Sequence, residues 1–149
     1  MKKILLSIFV IISLFCITGC VKVKEYDSEI ESFSYQYGSY NGGYYKYEID
    51  NSGDKATFIA TGYNGVNNNT NKEIDKSEVN KLSKIIYNNK IYEWDGFGKN
   101  NNRVLDGYSF SLKVKYKNGK SITASGYMDY PNNYNTGHKK IASFLESIK

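Results

Sequence analysis

Cys16 and Cys20 are the only thiols in the chain, and His138 is its only imidazole. Those two facts limit the catalytic chemistry this sequence can hold. A Ser-His-Asp set would have to use His138. That residue opens an amphipathic segment beside Lys139 and Lys140, and nothing near it in sequence orients the ring as a triad requires. It reads as a solvated first-turn histidine. One His cannot build a His-cluster metal site, and CxxC and HExxH zinc motifs are absent. Calcium needs oxygen ligands at set spacings. The window Asp95–Asp106, "DGFGKNNNRVLD", offers Phe97 and Lys99 where an EF-hand loop wants ligands and Asn100 where it wants Gly. The window Asn67–Glu78, "NNNTNKEIDKSE", starts on a neutral ligand and also lacks that Gly. Neither is an EF-hand, so no metal or other cofactor is expected. Carboxylates remain. Asp95, Asp106 and Asp129 stand at loop edges. Two of them at the right separation could act as acid and base on a glycosidic bond. Asp-Gly in "WDGF" and "LDGY" makes turns equally well, and turns are the favoured reading.

Binding has a better candidate. "YEWDGFG" and "RVLDGY" bring Trp94, Phe97, Arg103 and Tyr108 into one Gly-flexible region. Trp, Tyr and Arg dominate binding hot spots. These four residues form the candidate binding surface, against a competing reading of Trp94 as a core residue.

The first thirty residues concern location. Met1-Lys2-Lys3 is a basic start, and Ile4–Ile17, "ILLSIFVIISLFCI", carries no charge. A basic segment, an apolar run of this length and small residues after it make a secretory signal. The run is too short for a membrane-spanning helix, which needs about 20 apolar residues. Ile17-Thr18-Gly19-Cys20 resembles a bacterial lipobox. The resemblance implies that signal peptidase II recognises Ile17, Thr18 and Gly19, cuts before Cys20, and leaves the Cys20 sulfur bonded to diacylglyceryl. Two acyl chains, at about 0.8 kcal/mol per buried CH₂, hold on the order of 20 kcal/mol, enough for permanent attachment. Cys16 then leaves with the signal as apolar filler. The expectation is a palmitate-type lipid anchor on the outer face of the cell membrane, with residues 1–19 removed and 20–32 as lipidated Cys and charged tether.

Residues 20–149 are enough for one domain, 33–149, with a real core. Losing Lys2 and Lys3 lowers the formal charge from the +5 of the full chain to a mild surplus, which does not suit nucleic acid. Without further thiols the domain folds by packing, with no disulfide. Fifteen Tyr and abundant Asn suit carbohydrate or protein contacts. An AT-rich coding bias explains the same composition and is the favoured reading. With the lipobox it suggests a low-GC Gram-positive bacterium.

Alternation and turn signals set the elements. "SFSYQYGSY", "YYKYEI" and "ATFIATGY" read as three antiparallel strands, with Phe33, Tyr35, Tyr37, Tyr45, Tyr47 and Ile49 on one side. Residues 64–74 read as a polar loop. Asp75 and Glu78 have capping-box spacing, and Val79, Leu82, Ile85 and Ile86 share a helical face ending at Asn88-Asn89. Ile91–Asp95 reads as a short strand before a Gly/Asn loop. "YSFSLKVKY" alternates without a miss, Asn118-Gly119 turns it, and "SITASGYM" returns. A last helix is expected from about Gly137 to Ile148, capped by Thr136 or Asn135. Thr57–Asn69 echoes Ser121–Asn133, which raises a duplicated β-β-α unit as an option. Strands grouped before helices indicate an α+β fold, here five to six antiparallel strands against two helices.

The stretch Trp94–Pro131, with the helix after it, resembles the C-terminal part of uncharacterised proteins of low-GC Gram-positive bacteria, several of them lipoproteins. The shared pattern is Trp-Asp-Gly-Phe, Leu-Asp-Gly, an alternating strand and a Gly hairpin. It transfers no functional residue. The expected function is a membrane-anchored, extracytoplasmic module that binds a protein or cell-envelope ligand. One alternative is a wall-active hydrolase using Asp95 or Asp106 in an acidic cleft. Another is an inhibitor-like module with a concave sheet lined by Tyr35, Tyr45 and Tyr47.

Overall fold

The structure, a computed structural model, describes residues 28–101 and 103–149. The signal segment 1–19, Cys20 and the tether up to residue 27 lie outside the described residues. Seven strands form one sheet in the order β4-β3-β2-β1-β6-β7-β5. They are β1 (Ile30–Ser39), β2 (Gly43–Asp50), β3 (Ala56–Tyr63), β4 (Thr70–Ile74), β5 (Gly98–Asn100), β6 (Ser109–Tyr116) and β7 (Ser121–Tyr127). All pairs are antiparallel except β5 with β7. Among the described residues two helices, α1 (Lys76–Asn88) and α2 (Tyr134–Ser147), complete an α+β fold.

One face of the sheet is packed and the other is wet. Phe33, Tyr35, Tyr47, Ile49, Phe58, Leu112, Val114 and Ile122 are buried on the inner face, together with Val79, Leu82 and Ile86 of α1 and Ile141 and Leu145 of α2. Strand alternation then turns Ser34, Gln36, Lys46, Ile59, Ser111 and Lys113 to the outer face. The core side chains stand where the alternation of the long strands puts them, since a register shift of one residue would expose all of them.

The sheet has more strands than the five to six expected, for local reasons. β4 carries a single buried residue, Ile74, and lies at the sheet edge, so it shows no apolar alternation and reads as a polar loop. β5 is three exposed residues beside β7. Ile91–Trp94 is a 3₁₀ turn and not the expected strand. Ile91 and Trp94 both enter the core, and their spacing of three fits the 3₁₀ period. β1 begins at Ile30, inside the segment 20–32 expected as tether. A register irregularity between Ile30 and Ser32 sends both Ile30 and Phe33 inward, and this breaks the alternation that would have announced the strand. Helix α2 starts at Tyr134, so Asn135 and Thr136 lie within it and Asn133 takes the cap position with φ of 62°.

The two stretches that echo in sequence also share a backbone path. After Gly62-Tyr63, Asn64 is left-handed with φ of 54°, and after Gly126-Tyr127, Met128 is left-handed with φ of 51°. In each case the chain folds back over the glycine. A Cβ on Gly62 would stand 2.1 Å from the Val66 carbonyl oxygen, and one on Gly126 would stand 2.2 Å from that of Asp129. Beyond this turn the paths part, because β3 continues into β4 while β7 leads directly to α2.

Candidate functional site

Of the four residues in the candidate binding surface, two are at the surface. Trp94 is 1% exposed. Its Nε1 donates to the Asn132 carbonyl at 3.1 Å, and its ring meets Phe110 and Tyr134 at centroid distances of 5.9 and 5.4 Å. Gly137 of α2 lies directly on it, since a Cβ there would stand 2.5 Å from the indole. Trp94 is therefore a core residue and cannot touch a partner. Phe97 is half-buried and stacks on Phe110. Arg103 and Tyr108 are exposed. The sequence brings the four together, but burial of the indole by α2 divides them.

His138 also departs from its reading as a solvated residue. It is half-buried, with Nδ1 2.8 Å from the Tyr35 hydroxyl. Its ring stacks on Tyr134 at 5.5 Å and meets Tyr37 edge-on at 4.7 Å. Two turns on, the Tyr47 hydroxyl donates to the Glu146 carboxylate. These two contacts hold α2 on the sheet. Tyr35 and Tyr47 are buried beneath it, so the concave tyrosine-lined sheet of the inhibitor-like reading is not formed. Tyr45 is half-buried and stacks on Tyr37. Burial raises the Tyr35 and Tyr47 hydroxyls far above the ordinary tyrosine range and pushes Tyr134 up to about 12. These phenols stay neutral, and Tyr47 serves as a donor to Glu146 rather than as a base.

Burial also lowers the His138 pKa below its ordinary 6.5. The folded protein thus prefers neutral imidazole, which can accept from Tyr35. Full stability is present above the unfolded pKa. As pH falls through about 6.5 toward the lower folded value, the unfolded chain takes up a proton that the folded chain resists, and stability declines. Urea midpoints measured from pH 7.5 to 5 should therefore fall, and His138→Phe should flatten that slope, the chain having no other His. An equal slope in the variant would remove His138 as the source.

The three loop carboxylates lie on three different loops. Asp95 is exposed, and its carboxylate accepts the Thr123 amide at 2.9 Å beside β7. Asp106 is exposed in the loop before β6, and Asp129 is half-buried after β7. Asp95 and Asp106 stand exposed on separate turns, an arrangement that counts against the hydrolase reading. Among the described residues no cluster of His, Cys, Asp or Glu could hold a metal ion.

The surface that the fold does build lies at one end of the sheet. β1, β3 and β7 finish there, and β2 and β6 begin there. Among the described residues, the large apolar or aromatic side chains that are exposed are Tyr40, Tyr63, Leu105 and Tyr108. All four belong to this tip. Tyr40 is in the β1–β2 turn, Tyr63 ends β3, Tyr108 precedes β6, and Leu105 crests the loop between β5 and β6. That loop is pinned by Tyr127, whose hydroxyl lies 2.9 Å from the carbonyl oxygens of Val104 and Leu105 and accepts the Gly107 amide at 2.8 Å. Cross-strand register sets the outer-face tip row as Tyr63, Tyr44, Gly38, Ser109, Tyr127 and Asn100. No charge occurs in that row.

No known family model matches the chain, and no curated protein matches it in sequence. The tip is therefore read from its own chemistry. Sequence reasoning found Arg103 and Tyr108 but missed Tyr40, Tyr44 and Tyr63. Tyr44 and Tyr63 carry a usable signal. Each sits out of phase with the inward residues of its own strand, and an aromatic on the wet face of an amphipathic strand needs a reason.

Proposed function

We propose that this chain is a membrane-tethered, outward-facing binding module. In this reading a diacylglyceryl group on Cys20 holds it, and the tip of the sheet engages a protein or cell-envelope ligand. The supporting observation is the opposition of two ends. The described chain enters at Ser28 and Glu29, beside the β6–β7 turn. There the Asn118 amide donates to the Ser28 hydroxyl at 3.0 Å, and Lys117 pairs with Glu29. From there β1 runs ten residues to the tip, a span of roughly 30 Å. A tether leaving that base would present Tyr40, Tyr63, Leu105 and Tyr108 away from the membrane. Among the described residues no helix is long and apolar enough to cross a membrane. Exposed Tyr and Arg with Gly, Ser and Asn around them form a surface suited to contact.

The test has two arms in intact cells. Mass spectrometry of the protein recovered from those cells should find a mature N-terminus at Cys20 carrying diacylglyceryl. A photo-cross-linking amino acid in place of Tyr40 or Tyr108 should capture a partner or wall polymer, while the same group in place of Lys120 at the base should not. A lipid-free N-terminus beginning elsewhere would overturn the anchor. Equal capture at the two ends, or none at the tip, would overturn the binding surface.

A further inference from the structure

We infer that the tip binds an uncharged glycan strand, in a slot on the outer face between Tyr44 and Tyr127. This rests on the reading of the tip as the binding end and names its ligand class. Tyr44 and Tyr63 are directly paired neighbours and form one wall. Ser109 forms the floor, and Gly38 beside it is buried, the place of a Cβ being filled by the Gly43 carbonyl 2.1 Å away. Tyr127 and the loop it holds, with Leu105 at its crest, form the other wall. From Tyr44 to Tyr127 is three strand spacings, roughly 14 Å, the length of a short oligosaccharide.

The chemistry of the slot suits sugar. The next row on the same face holds Thr61, Lys46, Gln36, Ser111 and Ser125. Hydroxyls and an amide at this height can exchange hydrogen bonds with ring hydroxyls. The single cation, Lys46, is paired with Glu48 at 2.8 Å. In a chain with 23% charged residues, a row without charge, beside a row whose single cation is ion-paired and a loop where Arg103 is offset by Asp106, matches a neutral ligand better than a polyanion. The interior tyrosines Tyr37, Tyr45, Tyr130 and Tyr134 stack on other rings. Tyr63 is nearly half exposed, at 46%, and offers ring surface for the apolar face of a pyranose to cover.

The measurement is calorimetric titration of the full lipid-anchored chain in detergent with two neutral hexasaccharides, a β-1,4-linked N-acetylglucosamine oligomer and cellohexaose. At least one should bind. Tyr44→Ala and Tyr63→Ala should each weaken it at least about tenfold, and Ser109→Trp should fill the slot and abolish binding. Lys120→Ala should leave binding unchanged, and melting curves should show all four variants folded. Absence of binding to both oligomers, or binding that survives all three slot substitutions, would overturn the inference. If the sugars fail while the tip cross-links to a protein, the binding module stands and its ligand is that protein. If the sugars and the tip cross-link both fail, both readings fall.

Discussion

Trp94→Ala should destabilise the domain by about 3–5 kcal/mol, the range for truncating a large buried aromatic. The indole is 1% exposed and fills the space between the 3₁₀ turn, β6 and the first turn of α2. Its removal takes away the contacts with Phe110 and Tyr134, the surface on which Gly137 rests, and the donor to Asn132. No nearby side chain can collapse into a void of that size without moving α2. Urea denaturation should show the midpoint falling with little change in slope. Tyr108→Ala, at 58% exposure, is the contrast and should stay within about 0.5 kcal/mol of the parent. If the two variants were equally stable, Trp94 would not be a packing centre of the domain.

Gly62→Ala and Gly126→Ala should each cost about 3 kcal/mol, near the upper end for overpacking. The nearest atom in the way is a backbone carbonyl oxygen in each case. The added methyl at Gly62 meets the Val66 carbonyl at 2.1 Å and the Asn68 amide at 2.9 Å. At Gly126 it meets the Asp129 carbonyl at 2.2 Å and the Phe110 ring at 2.7 Å. A carbonyl in a tight return cannot swing aside as a side chain can, so the turn itself must open. Gly98→Ala, whose added methyl has nothing within 4 Å, should be close to neutral. Thermal melts of the three variants check this, and equal melts would show that the returns yield freely. Gly62→Ala carries a second consequence. It displaces Tyr63, the next residue, and so should also weaken any ligand held at the tip.

Much of the fold was readable because its main elements are amphipathic. Phe110, Leu112, Val114 and Tyr116 alternate with Ser and Lys, and β6 turns those four inward. Val79, Leu82 and Ile86 recur at helical spacing, and α1 buries them. Where one residue carries the burial the pattern is silent, as in β4 with Ile74 alone. Where a bulge or a 3₁₀ turn changes the period, the pattern misleads, as at Ile30 and at Ile91–Trp94.

The candidate site divides along the same line. Arg103 and Tyr108 could be picked out by residue type within a Gly-rich loop. Trp94 met the same criteria and is buried, because residue type does not say which side chain α2 will cover. His138 lies 103 positions from Tyr35 in sequence, so its partner depends on where the helix lands on the sheet.

By itself the sequence determined a chain with two Cys and one His, an uncharged apolar run before Cys20, and alternating strands that must bury one face. Composition and local period are enough for those statements. Only the tertiary structure decided which tyrosines are interior and which are exposed. Tyr35 and Tyr47 lie under α2, whereas Tyr44 and Tyr63 lie in one row at the tip. That sorting depends on register between strands far apart in sequence and on the single face that the helices cover, and neither is a property of any one segment.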